Sequence, residues 1–176
     1  MDRHIFWIAS YPKSGNTLLR SILASIFFSK DGLFNFELLK YIPIVENTIN
    51  LNFIKQNNPE DYRNIHKLQT LSKYWSEIWS KKNLGINEDF LFVKTHHALA
   101  KIGDNYFAEN SFTRGVIYIV RDPRDVVISN ARHYNISIEN SLKKILNTKT
   151  GLLWEDNNEL FFNKEKPVSV LSSWGI

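Results

Sequence analysis

The sequence predicts an α/β fold, a mainly parallel sheet flanked by helices, on three observations. Four short runs are apolar on both faces, as strands buried in a parallel sheet must be. Segments with helical periodicity lie between them. Two of the predicted strands pass through a short turn directly into a helix start, punctuated by Gly, Asp and Pro. A chain of 176 residues without internal repeat, low-complexity tract or linker composition fits one domain over residues 1–176.

Taken in order, the first strand is "IFWIAS", Ile5 to Ser10, rich in β-branched and aromatic residues. The stretch "YPKSGNT", Tyr11 to Thr17, follows. The helix from Thr17 to Phe28 then places Leu18, Leu19, Ile22, Leu23, Ile26 and Phe27 on one broad apolar stripe, with Gly32 as a stop. From Gly32 to Asn57 the pattern is irregular. Its Phe34, Phe36, Tyr41 and Pro43 fit either an apolar acceptor pocket or ordinary packing. The next helix has Asn58 as N-cap, Pro59 at its first position, and Glu60 and Asp61 beside the positive dipole end. Leu68, Leu71, Trp75, Ile78 and Trp79 mark its buried face, Lys81 and Lys82 its last turn, and Gly85 its end. A strand from Phe90 to Thr95 follows, then one from Gly115 to Arg121. Asp122 as N-cap, Pro123 as first helical residue and Asp125 in the first turn specify the helix after it. A last helix from Ser137 to Asn147 turns Leu142, Ile145 and Leu146 inward, and a fourth strand runs from Val168 to Ser172.

Composition narrows the function classes. With 43% hydrophobic and 23% charged residues the chain has the make-up of a soluble globular protein. A formal charge of +4, scattered rather than massed, favours an anionic ligand without arguing for a nucleic-acid surface. The absence of cysteine excludes a disulfide framework, cysteine-ligated zinc and thiol catalysis. No apolar run approaches the roughly 20 residues that span a bilayer. Met1 to Ser10 also lacks the layout of a signal peptide. The expectation is a cytoplasmic protein with neither nucleic acid nor membrane as partner.

Three stretches carry chemistry. "YPKSGNT" falls where a strand ends and a helix begins, the place where α/β folds bind ligands and where unpaired N–H groups and the helix dipole favour an anion. Gly15 admits close backbone approach, Lys13 brings a mobile charge, and Ser14, Asn16 and Thr17 add short donors. A bland βα turn, with Asn16 or Thr17 capping the helix, is the competing interpretation. The lysine precedes the glycine, so this is no Walker A loop, and an ordinary ATPase is disfavoured. In "IYIVRDPRDVVIS", Arg121 ends a strand at the same sheet edge and Ser129 lies about two helical turns on, a second phosphate grip. A local Arg121–Asp125 pair, or a Walker B role for Asp122, competes with it. "FVKTHH" brings Lys94, Thr95, His96 and His97 to a third strand end, where a neutral imidazole can act as general base. Adjacent histidines point apart in a strand, which disfavours a metal pair.

Together, "YPKSGNT", "KTH" and "RDPRD…S" closely resemble the motifs of the sulfotransferases that use 3′-phosphoadenosine 5′-phosphosulfate (PAPS) as sulfuryl donor. The resemblance spans about Phe6 to Ser129. It implies the P-loop NTPase-like sulfotransferase fold, and it implies roles. Lys13 would stabilise the leaving phosphate while Ser14, Gly15, Asn16 and Thr17 cradle the 5′-phosphosulfate. His96 would take the acceptor's proton beside the positive charge of Lys94, and Arg121 and Ser129 would hold the 3′-phosphate. The acceptor would be a hydroxyl or amine on a small molecule or glycan, with sugar, phenol, steroid, lipid and peptide all open, and no metal would be required. Asn16 stands where many members have threonine, and Leu18 where many have an adenine-stacking tryptophan. The chain also stops before the late basic segment that closes over the 3′-phosphate in the family, so the expectation is a domain lacking that carboxyl-terminal part. The alternatives are a kinase-like phosphotransferase and a non-catalytic fragment that binds PAPS or its bisphosphate product.

Overall fold

The computed structural model describes residues 3–45, 51–65, 67–85 and 88–146. Strand β1 (Ile5–Ser10) forms where expected and occupies the centre of a three-stranded parallel sheet. Strand β2 (Leu91–Thr95) pairs along one side of it, and a strand at Thr113–Ile119 along the other. A short antiparallel hairpin, β3 (Lys101–Ile102) and β4 (Asn105–Tyr106), precedes that last strand, which is therefore β5. The expected strand from Val168 to Ser172 lies outside the described residues.

Alternation along β1 builds two cores from one strand. Phe6 and Ile8 face helix α1 (Asn16–Phe28), packing with Phe92, Leu19, Leu23, Ala24 and the 3₁₀ turn at Phe36–Tyr41. Arg20 fastens that turn, donating to the carbonyls of Leu39 and Ile42. On the opposite face, Ile5, Trp7 and Val93 meet Leu71, Trp75, Ile78, Trp79, Phe107 and Phe112. Burial of each such side chain contributes roughly 1.5–3 kcal/mol. Trp7 also donates from Nε1 to the Thr113 hydroxyl, tying β1 to β5.

Several expectations are corrected. The apolar stripe on α1 is broader than its packing. Ala24 is buried and Leu19 and Leu23 half-buried, whereas Leu18, Ile22 and Ile26 stay exposed on the flank away from the sheet, and Phe27 is exposed as well. The single helix expected from Pro59 to the residues before Gly85 is a series of short ones. After α2 (Asn52–Asn57) come α3 (Pro59–Arg63), α4 (Leu68–Ser72), α5 (Trp75–Ile78) and α6 (Lys81–Leu84). Polar side chains at the breaks bond to backbone in place of helix continuation. Asn64 donates to the Glu60 carbonyl, Ser72 to that of Gln69 and Ser80 to that of Glu77, and the Ser80 hydroxyl also caps α6. The buried face foreseen for Leu71, Trp75, Ile78 and Trp79 survives the breaks. Asn58 occupies the cap position of α3 without a side-chain cap bond, while Pro59 opens the helix as expected.

Strand β5 runs two residues earlier than foreseen. Its partner β1 ends at Ser10, opposite Ile119, so Val120 and Arg121 have no strand to continue against. Helix α7 (Pro123–Tyr134) begins at the expected place and packs on α8 (Ile138–Leu146). Only Ile145 of the three apolar residues assigned inward on α8 is buried; Leu142 is 43% and Leu146 58% exposed. Their place in the contact is taken by Ser141, whose hydroxyl accepts from Asn130 Nδ2 and donates to the Val127 carbonyl. No helix among the described residues is long and apolar enough to cross a membrane.

Candidate functional site

The site grows from the carboxyl end of β1. After Ser10 the chain turns sharply, with Ser14 N–H donating to the Tyr11 carbonyl, and Lys13 and Gly15 both take left-handed conformations at φ 68° and 103°. For glycine this conformation is cheap; for a lysine it costs roughly 1–2 kcal/mol. The only other described non-glycine residue at positive φ is Asn135, at a helix C-terminus where that conformation is ordinary. Strain at Lys13 is therefore specific to this loop.

Helix α1 starts at Asn16 with Gly15 as cap, and no side chain accepts from its first N–H groups. Neither Asn16 nor Thr17 caps it. The buried Asn16 side chain turns back onto β1, its Nδ2 donating to the Ile8 carbonyl and the Ser10 hydroxyl, both at 3.1 Å. Any contribution of Asn16 to an anion at this helix start is thus through its backbone N–H. Thr17 is exposed at the second helical position. The first turn keeps its unpaired donors and positive dipole end.

Three buried side-chain polar atoms among the described residues lack a hydrogen-bond partner. Two belong to this loop, Ser14 Oγ and Asn16 Oδ1; the third is Trp79 Nε1 in the core. A buried hydroxyl without a partner, beside an uncapped helix start and a lysine, fits an incoming oxyanion as its missing partner.

Of the other two motifs, one hydrogen-bonds to this loop and the other to the strand end that leads into it. Arg121 donates from Nη1 to the Lys13 carbonyl at 3.1 Å, while its Nε lies 3.7 Å from Asp125. The local ion pair that competed with a binding role is real, and the same guanidinium also reaches the first motif. His96 Nδ1 lies 2.7 Å from the Ser10 carbonyl and 3.4 Å from the Ser10 hydroxyl. Lys94, opposite Ile8 in the sheet, shares the face of His96 two residues earlier. His97 goes the other way and stacks on Phe107 at 4.2 Å. Ser129 is half-buried in the second turn of α7.

Asp122 caps α7, its carboxylate accepting from Arg124 N–H at 2.9 Å and pairing with the Arg124 guanidinium. These bonds hold its carboxyl down at about 2, the Arg124 side chain contributing most and its backbone N–H next. Its lone pairs are spent on the cap and on Arg124, which counts against the Walker B interpretation. Tyr11 packs against Val126, Val127 and Ile145, and burial, with a smaller push from Tyr134, raises its phenol above the ordinary range. It stays a neutral donor at the root of the loop.

Sequence reasoning missed Ser10, which links His96 to the first motif. Its signal was present in the alternation of β1, which puts Ser10 on the same face as Ile8, but the parallel register with β2 was needed to bring His96 to it. Phe34 and Phe36 contact each other edge to face, Phe36 being 78% exposed, and Tyr41 stacks on Phe28.

Comparison with known proteins gives one family. The family model described as "Sulfotransferase domain" matches residues 3–172. A search of curated proteins returned no match. The match takes in all three strands of the sheet and every residue that converges on the loop after β1, and on that basis the chain belongs to the sulfotransferase domain family.

Proposed function

We propose that this chain binds PAPS at the loop between β1 and α1 and moves its sulfuryl group to a hydroxyl or amine of a small-molecule or glycan acceptor. The observation that carries this function is the hydrogen-bonded convergence of three motifs distant in sequence. Arg121 reaches the Lys13 carbonyl and His96 reaches Ser10, around a helix start without a side-chain cap. The buried, unpartnered Ser14 hydroxyl supports an oxyanion in the loop. Bound PAPS supplies the sulfuryl group, with adenosine 3′,5′-bisphosphate as its leaving group. Lys13 and the first N–H groups of α1 stabilise negative charge on the bridging oxygen as the bond to sulfur breaks. His96 accepts the acceptor's proton as the new bond to sulfur forms, and Lys94 adds positive charge beside it. Arg121 and Ser129 hold the 3′-phosphate, and Phe34, Phe36 and Tyr41 are candidates for the acceptor side.

Calorimetry with adenosine 3′,5′-bisphosphate in the presence of a chelator should show binding, whereas a magnesium-dependent phosphotransferase would not bind it under those conditions. With radiolabelled PAPS and a host extract as acceptor source, Lys13→Ala and His96→Ala should each lower transfer by roughly 100-fold or more. Their circular dichroism should match wild type, since both side chains lie at the rim. Near-normal transfer by either variant would remove that residue from its role. A wild-type chain that binds the bisphosphate yet transfers nothing would be a donor-binding module instead.

A further inference from the structure

A backbone carbonyl steadies His96. A carbonyl only accepts, so the 2.7 Å contact from Nδ1 to the Ser10 oxygen puts the ring proton on Nδ1 and makes Nε2 the basic nitrogen. The Ser10 hydroxyl, 3.4 Å from the same nitrogen, in turn accepts from Asn16 Nδ2. That amide also holds the Ile8 carbonyl, so one buried side chain grips β1 at two points, Ile8 and Ser10. The grip leaves Asn16 Oδ1 buried with no partner.

We infer that Asn16, on the transfer function proposed above, is a positioning residue for His96: its amide holds the end of β1 at Ile8 and Ser10, and the Ser10 carbonyl so placed keeps the imidazole as the Nδ1–H tautomer with Nε2 basic. Asn16 thereby has a task distinct from cradling the donor. It orients the base, as second-layer hydrogen bonds orient other functional histidines.

The test reads the tautomer of His96 by NMR of the isotope-labelled imidazole, at a pH where its nitrogen shifts report the neutral ring. Wild type should be mainly Nδ1–H. Asn16→Ala should move the tautomer ratio toward Nε2–H by about fivefold, equivalent to the roughly 1 kcal/mol of one ordinary hydrogen bond. Ser10→Ala keeps the carbonyl but removes the link, and should move the ratio the same way by less. An unmoved ratio in both variants overturns the inference, as does an unmoved ratio in Asn16→Ala accompanied by lost bisphosphate binding. Should Asn16→Ala fail to fold, Ser10→Ala decides alone. The measurement needs no turnover, so a wild-type chain that fails to bind the bisphosphate or to transfer would sink the proposed function while leaving the tautomer result standing.

Discussion

Where β1 passes into α1, no side chain caps the helix, Lys13 and Gly15 are left-handed, and two buried polar atoms have no partner. Where β5 passes into α7, Asp122 caps the helix, Pro123 fills the position that needs no N–H, and Asp125 and Arg124 complete local ion pairs. Both junctions leave the same edge of the same sheet, from neighbouring parallel strands. One satisfies itself and the other withholds satisfaction. Unmet donors and backbone strain lower stability, and they persist where a ligand completes them. The contrast separates a junction that closes itself from one that leaves its donors open more sharply than either motif does alone, and Arg121 spans the two.

The largest effect should come from disturbing the pairing that holds the junctions side by side. Gly115 lies opposite Phe6, and a Cβ added there would sit 2.8 Å from the Phe6 ring. That ring is fixed by Phe90, Phe92 and the Arg114 guanidinium above it. Gly115→Ala should therefore destabilise the protein by about 1–3 kcal/mol, the usual range for overpacking. Denaturant unfolding measures this, and a midpoint equal to wild type would mean that Phe6 moves aside freely.

Why a glycine belongs at position 115 was not legible in the sequence, because it depends on which residue lies across the ladder. The same holds for Ser10 and Ser141, whose roles rest on partners 86 and 11 residues away in the chain. What could be read was local: the apolar run of β1, the capped start of α7 and the small residues of the loop after β1. Periodicity misled where it could not see neighbours. Leu18, Ile22 and Ile26 have the spacing of a buried face, yet they stay exposed. The break at Ser80 was equally hidden, since the serine hydroxyl bonds to backbone where the pattern alone continues a helix.

Arg121 sharpens the comparison because it belongs to both junctions. Arg121→Ala removes the bond to the Lys13 carbonyl and frees Asp125, which lies in the first turn of a helix where a carboxylate is still favoured by the dipole. Stability should change little. Affinity for adenosine 3′,5′-bisphosphate should fall by roughly tenfold, the loss of one charge-assisted contact. Calorimetry on the variant reads both, through the binding isotherm and the thermal transition. An unchanged affinity would return Arg121 to a purely structural role at the second junction.

The smallest effect belongs to Asp122, where the second junction satisfies itself. Its carboxyl titrates at about 2 in the folded protein, below its ordinary value near 4. A depressed carboxyl adds stability that is complete above the unfolded value and is lost as the pH falls toward the folded one, so the window is about pH 4 to 2. The group is solvent-exposed, and screening keeps the contribution small. Asp122→Asn retains a capping side chain but cannot pair with Arg124 as an ion. Any advantage of wild type over Asp122→Asn in urea unfolding at neutral pH should therefore shrink at pH 2, and an advantage undiminished there would assign it to cap geometry instead of charge. Bisphosphate affinity should be the same in both proteins, because the donors that Asp122 satisfies belong to α7 and those left for a ligand belong to α1.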